Sequence, residues 1–460
     1  MSQFLSRKVF LKQGVAVAVT ALMMGSVHAA SDKDEIKKLR DEVQALKSLI
    51  LQQQQVQQQQ QQVQQQQQVQ IEQVRTAPVQ QPVAKAESAL ASLKTKAGSN
   101  FNLYGFVRAD AEYQFKGGNA IFNRINAVDL NGVLDANGIM NPNNDRFYST
   151  VTTTRLGLDF KAPVQNADVG GKVEIDFRGG DKNDTVRIRH AYLTYNKWLV
   201  GQTSSSFVSG ETSPEILDFN GPLGTGTHRT PMVRYADKIS DTTSYMVGLE
   251  QGDSANRLPT ATAKITQTFA GDKGLVNARA LVQETRARLK PVDGGNEYND
   301  QGEFSWGLAA GAKYKFNDQL SMTADYTHLT GDKTYMLYGN DNAYTVNTNK
   351  KSVDLVDLDA VSVGATYRIN PQVRTSIGYG AMFYDKQGAG KNDNLQQGWL
   401  NVFYNPTKVL TFGAEYIYGE RAVDDYNNIV KDSSGAVIVN NTSDRVGRDS
   451  RIGVMAKYDF

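Results

Sequence analysis

Between Phe101 and Phe115 the chain alternates. Phe101, Leu103, Val107, Ala109, Ala111, Tyr113 and Phe115 share one side of an extended segment, and Asn102, Arg108, Asp110, Glu112 and Gln114 share the other. A period of two is the signature of a strand with one apolar and one polar face. "RLGLDFKA" repeats it with Leu156, Leu158 and Phe160 against Arg155, Asp159 and Lys161. "GKVEIDFRGG" sets Val173, Ile175 and Phe177 against Lys172, Glu174, Asp176 and Arg178, and "TVRIRHAYLTYN" sets Val186 and Ile188 against Arg187 and Arg189. About sixteen such runs follow one another to the C-terminus, each near the ~9 to 11 residues that a tilted strand needs to cross a bilayer.

The connections alternate as well. Short turns such as "PVQNAD", "NK", "AGDKG", "FNDQ", "INPQ" and "NPTK" take turns with long loops at residues 116–146, 204–230, 287–302, 331–354 and 422–448, and two shorter loops fall near residues 180 and 254. Short turns on one rim and long loops on the other, with both chain ends on the short-turn side, is the plan of a membrane barrel. The expected fold is all-β and transmembrane: a 16-stranded antiparallel outer-membrane β-barrel over residues 101–460, with an N-terminal α-helical coiled coil before it. A soluble sandwich also alternates, but it leaves edges to protect, and a closed barrel has none.

Upstream the period changes. Ile36, Leu39, Val43, Leu46 and Ile50 are spaced 3, 4, 3 and 4, the seam of a coiled coil. Leu49, Val56 and Val63 continue a seven-residue spacing into a Gln tract, one position off the first seam. Residues 30–74 therefore read as a Gln-rich coiled coil that needs partner chains, and residues 75–100, with Pro78 and Pro82, as a linker. Arg7, Lys8 and Lys12, the apolar run from Gly14 to Met24, and small Val27 and Ala29 mark residues 1–29 as a signal peptide.

Losing that peptide removes three cations and no acids, which takes the formal charge from +2 to −1 and argues against a nucleic-acid partner. The absence of Cys leaves stability to backbone pairing and burial. No stretch reaches 18 consecutive apolar residues, and a mean hydropathy of −0.46 suits a barrel in which only alternate positions are apolar. No GxSxG, HExxH or CxxC occurs, and "GAGKND" lacks the spacing of a phosphate loop. "DKNDT" at residue 181 is read as a turn, so no catalytic residue, metal or cofactor is expected.

The two arginines of "TVRIRHAYL" decide which face is wet. Facing lipid at midplane, each would cost about 2 to 4 kcal/mol, whereas in a solvated lumen the pair is tolerated. By the same parity Arg108, Arg155, Arg178, Arg279, Arg374 and Arg451 also point inward. Guanidinium groups fixed on a wall can each hold a carboxylate through two hydrogen bonds. Arg187 and Arg189 carry the most weight because their own strand has no acid, although Asp159, Glu174 and Asp176 lie on the same wall.

With these features in place, residues 101–460 resemble the sixteen-stranded trimeric porins of Gram-negative outer membranes. The Gln-rich coiled coil, "NLYGFVRADAEY" and "RHAYLTYNKWLVGQTSSSF" resemble the DcaP-like porins in particular. The resemblance implies a homotrimer, embedded in lipid and lipopolysaccharide, that passes small dicarboxylate-type anions. It also implies a constriction where the third long loop folds inward, at residues 208–230 with Glu211, Glu215, Asp218, His228 and Arg229. Peptidoglycan is a further candidate partner for the coiled coil. The competing reading is a structural or adhesive anchor presenting that coiled coil from the outer membrane, which would have no need of an arginine-lined interior. The last strand ends on Phe460, and a terminal aromatic resembles the signal read by barrel-insertion machinery. Deleting Phe460 should lower the yield of membrane-inserted protein with little effect on the conductance of what inserts; undiminished insertion would refute this.

Overall fold

The structure is a computed structural model. It describes Gln44 and residues 100–460, except 133–138, 140, 165, 290–298, 340–341, 348–351, 386–389, 425–427, 432–436 and 442–445. The expected signal peptide, linker and coiled coil lie outside the described residues, apart from the helical Gln44 and strand residue Asn100.

Alternation becomes strand as the sequence predicts. In chain order the strands are β1 Asn100–Lys116, β2 Arg155–Val164, β3 Ala167–Gly179, β4 Thr185–Tyr195, β5 Trp198–Ser204, β6 Arg229–Lys238, β7 Thr243–Glu250 and β8 Thr260–Phe269. They continue as β9 Gly274–Leu289, β10 Asn299–Lys315, β11 Leu320–Thr330, β12 Asp357–Arg368, β13 Val373–Asp385, β14 Asn392–Tyr404, β15 Leu410–Val423 and β16 Val446–Asp459. A short strand, Arg146–Thr150, pairs with β1 above the point where β2 pairs with it, so the two are halves of one stave interrupted at residues 151–154. Counted as one, they reduce the seventeen strands of the sheet to sixteen.

Every neighbour is antiparallel, and β16 returns to β1 from Phe106↔Asp459 to Gln114↔Arg451. Phe460 completes the seam: Gly105 N donates to its carbonyl at 3.2 Å, and its own N donates to Gly105 O at 3.1 Å. Closure satisfies the backbone all the way round, the condition for sheet in hydrocarbon.

The outer wall is apolar, with Val107, Val186, Ile188, Leu193, Ile377 and Leu400 all more than half exposed, while Arg108, Asp110, Glu112, Asp176 and Arg451 are buried inside. Aromatic pairs mark the turn rim, with Trp198 and Tyr235 at 5.0 Å and Tyr314 and Phe316 at 4.9 Å. On the long-loop rim the connections with described residues are L1 (117–145), L2 (180–184), L3 (205–228), L4 (251–259), L6 (331–356), L7 (386–391) and L8 (424–445), the label L5 being kept for residues 290–298, which lie outside the described residues. "DKNDT" at the 181 position is turn in L2, as expected. L3 is shorter than the 208–230 stretch predicts at its C-terminal end, because Arg229 pairs with Ser204 and already belongs to β6.

The apolar core of the molecule lies inside the barrel. Ile125 and Val128 of L1, Phe207 and Leu223 of L3, and Tyr335, Met336 and Tyr338 of L6 pack against Leu281, Leu329, Leu358, Met382 and Leu395 of the wall. L3 and L6 are joined by backbone bonds, Thr227 N to Tyr335 O at 3.0 Å and Leu337 N to Thr225 O at 3.0 Å. The loops thus fill the β9–β14 side of the interior.

One departure from regular pairing bears on function. Between Glu174↔His190 and Ile175↔Ile188, β4 holds one extra residue, Arg189, which makes a β-bulge. The neighbouring β5 accommodates it through Gly201, whose φ is 130° and whose added Cβ would stand 2.4 Å from the Ala191 carbonyl oxygen. Gly201→Ala should therefore cost about 1 to 3 kcal/mol of barrel stability. The readout is the temperature at which the folded barrel loses its compact electrophoretic mobility, and an unchanged temperature would mean that the bulge does not depend on this glycine.

Candidate functional site

L3 enters the lumen and is fixed to the far wall at successive points. Glu211 bonds Lys264 Nζ of β8 at 2.8 Å, and Asn277 of β9 donates to Ser209 Oγ at 2.9 Å. Thr212 donates to Asp325 of β11, which is itself held by Arg279 at 2.6 Å. Glu215 meets Arg374 of β13 at 2.9 Å and accepts from Ser376 Oγ, while its backbone carbonyl accepts from Trp399 Nε1 of β14. The backbone N–H groups of Leu217 and Asp218 donate to Glu415 of β15 at 2.7 and 2.8 Å. Asp218 then pairs with Arg451 of β16 at 2.7 Å, and Arg108 of β1 donates to Leu217 O at 2.7 Å.

Each loop acid thus meets a wall cation. Burial alone would push the Glu211 carboxyl up, but the Lys264 ammonium outweighs it and holds Glu211 below the ordinary carboxylate range. Asp218 is more deeply enclosed, and there burial wins over the pull of Arg451, so its carboxyl is raised. His228, at the end of L3, packs 4.5 Å from the Tyr335 ring, and burial lowers its pKa despite Asp332 and Glu250 nearby. It belongs to the L3–L6 junction.

The β1–β6 side carries a different arrangement. Arg187 makes a two-bond fork with Asp176, at 2.9 Å from Nε and 2.6 Å from Nη2. Arg189 donates to Glu174 at 2.8 Å and to Asp176 at 3.1 Å. This corrects the expectation that these two arginines stand free: their own strand has no acid, but pairing with β3 places Asp176 and Glu174 beside them. Arg155 approaches Glu174 Oε1 only to 3.5 Å, and its buried Nε has no hydrogen-bond partner; the same holds for Nε of Arg229. Arg178 has no ion pair among the described residues; its guanidinium lies 5.1 Å from the Phe122 ring and 5.8 Å from that of Phe219 in L3. Arg155 and Arg108 also face Phe219, at 5.8 and 5.4 Å. Arg229 is within Coulombic reach of Arg189, Arg155 and Arg187.

Five guanidiniums therefore gather on this arc of wall, a surplus of three positive charges over the two carboxylates that pair with them, with Asp218 and Asp110 also within Coulombic reach of Arg178. Of the residues expected to line the pore, Arg155, Arg178, Arg187 and Arg189 are brought together, and Arg229, expected in the constriction loop, joins them from β6. Arg279 and Arg374 serve as anchor points of L3, and Arg108 is tied to Asp110 at 2.6 Å. Sequence reasoning missed His190. Strict alternation from Val186 and Ile188 would turn it to lipid, but the bulge turns it inward, where Nδ1 is 2.9 Å from Thr203 Oγ1. The signal was present: apolar positions are even at Val186 and Ile188 and odd at Leu193 and Tyr195, so the parity must break between them.

The sequence model of the family described as DcaP outer membrane protein matches residues 27–434. Among solved structures, the chain is similar to the outer membrane channel DcaP of Acinetobacter baumannii, with 38% identity and a TM-score of 0.68, over 81% of this chain and 100% of that one. It shares its fold with the anion-selective porin from Comamonas acidovorans, at 12% identity and a TM-score of 0.53 over 79% of this chain and 100% of that one. The same is true of a loop L8 deletion mutant of OmpT from Vibrio cholerae, at 15% identity and a TM-score of 0.50 over 79% and 99%. Comparison with the curated proteins returns no match. A closed sixteen-stranded barrel with an inward third loop, matched by this family over most of its length, is an outer-membrane channel, and the chain belongs to the DcaP outer membrane protein family.

Proposed function

We propose that the channel passes small hydrophilic solutes by passive diffusion and favours organic anions, dicarboxylates among them, through the arginine arc formed by Arg155, Arg178, Arg187, Arg189 and Arg229. The observation that carries this reading is the gathering of these guanidiniums on one arc of wall where the carboxylates paired with them are Glu174 and Asp176, while Arg178 has no ion pair among the described residues. Guanidinium groups that outnumber the carboxylates beside them attract an anion and can hold a carboxylate through charge-assisted hydrogen bonds. Charge within a Debye length of about 8 Å biases permeation at physiological salt and fades as salt rises.

The arginines do not contribute equally. Arg187 and Arg189 largely offset Asp176 and Glu174, so the surplus resides in Arg155, Arg178 and Arg229. Replacing those three by Ala should abolish anion preference in planar-bilayer reversal potentials and weaken block by succinate. Replacing Arg187 and Arg189 should reduce the preference without eliminating it, because one positive charge remains in excess. Unchanged selectivity in the triple variant would overturn the reading.

The working unit in this proposal is a homotrimer joined by a periplasmic coiled coil, since a seam as narrow as that of Ile36 to Ile50 has nothing of its own chain to bury it. A chain starting at Ser99 should still trimerise through its barrel on chemical cross-linking. Recovery of monomers with intact pores would contradict this.

A further inference from the structure

The bulge in β4 brings a titratable group into the arginine arc. Arg189 and His190 are adjacent in sequence, yet both turn into the lumen because Arg189 is the extra residue opposite the Glu174–Ile175 step. The imidazole lies between two neighbouring strands. Nδ1 is 2.9 Å from Thr203 Oγ1 on β5, and Nε2 is 3.7 Å from Glu174 Oε1 on β3. That same oxygen accepts from Arg189 Nε at 2.8 Å and is the atom that Arg155 Nε approaches to 3.5 Å. The other oxygen of Glu174 accepts from Tyr104 of β1 at 2.8 Å. One carboxylate oxygen is thus shared by nitrogens of Arg155, Arg189 and His190, and Glu174 is the acid that divides its charge among them.

We infer that His190 is a positioning residue for the anion site: on taking up a proton it draws Glu174 Oε1 to itself and loosens its hold on Arg189, so that anion binding in the lumen strengthens as the pH falls. The inference rests on the reading of the arginine arc as an anion site and concerns its regulation. Two effects act with the same sign. The imidazolium adds a positive charge beside the arc, and Glu174 is turned from a competitor for the Arg189 guanidinium into a partner of His190. The neutral ring at 3.7 Å makes no hydrogen bond to Glu174, so the contact has room to tighten.

The charged groups facing the ring are Glu174 and Lys172 from β3, Arg189 from its own strand, and Arg229 from β6. The uncharged groups are Thr203 from β5 and Tyr192, whose ring meets the imidazole edge-on with centroids 6.5 Å apart. Glu174 is the one acid in that set, which is why a proton on His190 has a single place to act.

The test needs an anion whose own charge does not change with pH, so ethane-1,2-disulfonate serves as the blocker. Its block of single-trimer current is measured from pH 7.5 to pH 4 in the full-length wild-type channel, in H190Q and in H190K. Wild type should bind the disulfonate more tightly at the acid end, by up to the about fivefold expected when one full charge is added roughly 8 Å from a dianion in water. H190Q, which can still hydrogen-bond Thr203 but cannot take a proton, should lose that pH dependence. H190K, positive across the range, should bind at pH 7.5 as wild type does at pH 4. Equal pH dependence in wild type and H190Q overturns the inference, as does a wild-type block that is flat with pH. Absence of block at every pH would instead overturn the anion site on which the inference is built.

Discussion

A sheet in hydrocarbon cannot end at an open edge, because each unpaired N–H and C=O there would forfeit its hydrogen bond with no water to replace it. The pairing of β1 with β16, finished by Gly105 and Phe460, removes the edge. Everything else follows from that seam. Once the sheet is closed, one face meets lipid and the other meets only the interior, so every charged side chain of the strands has to be accommodated within the barrel. The cationic arc, the carboxylates and the loop anchors are consequences of this confinement.

Confinement then sorts the charges. L3 carries three acids, spaced so that Glu211, Glu215 and Asp218 reach β8, β13 and β16 in turn. Of the three, the Asp218–Arg451 pair is buried on both sides; desolvation consumes most of its attraction, but it fixes position strongly since either partner alone would be left uncompensated. Glu415 adds direction by accepting two successive backbone N–H groups of the loop. Together with the apolar packing of Phe207 and Leu223 against L6 and the wall, these contacts hold the loop in place.

Much of the architecture was legible because its cause is local. Whether a side chain faces oil or water is set by its own parity, so the strands, their count and the inward arginines could be read one run at a time. Partner identity was not legible, because it depends on which residues stand opposite across a strand pair or across the lumen. Arg187 and Arg189 looked unopposed along "TVRIRHAYL", yet the register with β3 sets Asp176 and Glu174 beside them. Arg279 and Arg374 were inward as expected, but the chain does not reveal that a loop some sixty to one hundred and sixty residues away comes down on them. His190 falls between these cases: the change of parity from Val186 and Ile188 to Leu193 and Tyr195 implies an extra residue, while the sequence leaves open which one.

The neutralisation of the L3 acids has a consequence for how a solute is oriented. Two opposed banks of unlike charge would set up a transverse field and exert a torque on any dipole between them. Here Glu211 and Glu215 are each cancelled by a wall cation, and Asp218 shares Arg451 with Glu112 and Asp449, so little of the loop's charge outside the buried cluster around Arg451 opposes the arginine arc. Its field spreads from one side and decays within about a Debye length. A zwitterion in such a field is drawn by its carboxylate and repelled by its ammonium at nearly the same distance, and gains little; a particle of net negative charge gains at every orientation. Under the proposed anion selectivity, solutes are sorted by total charge, with dipole moment counting for little.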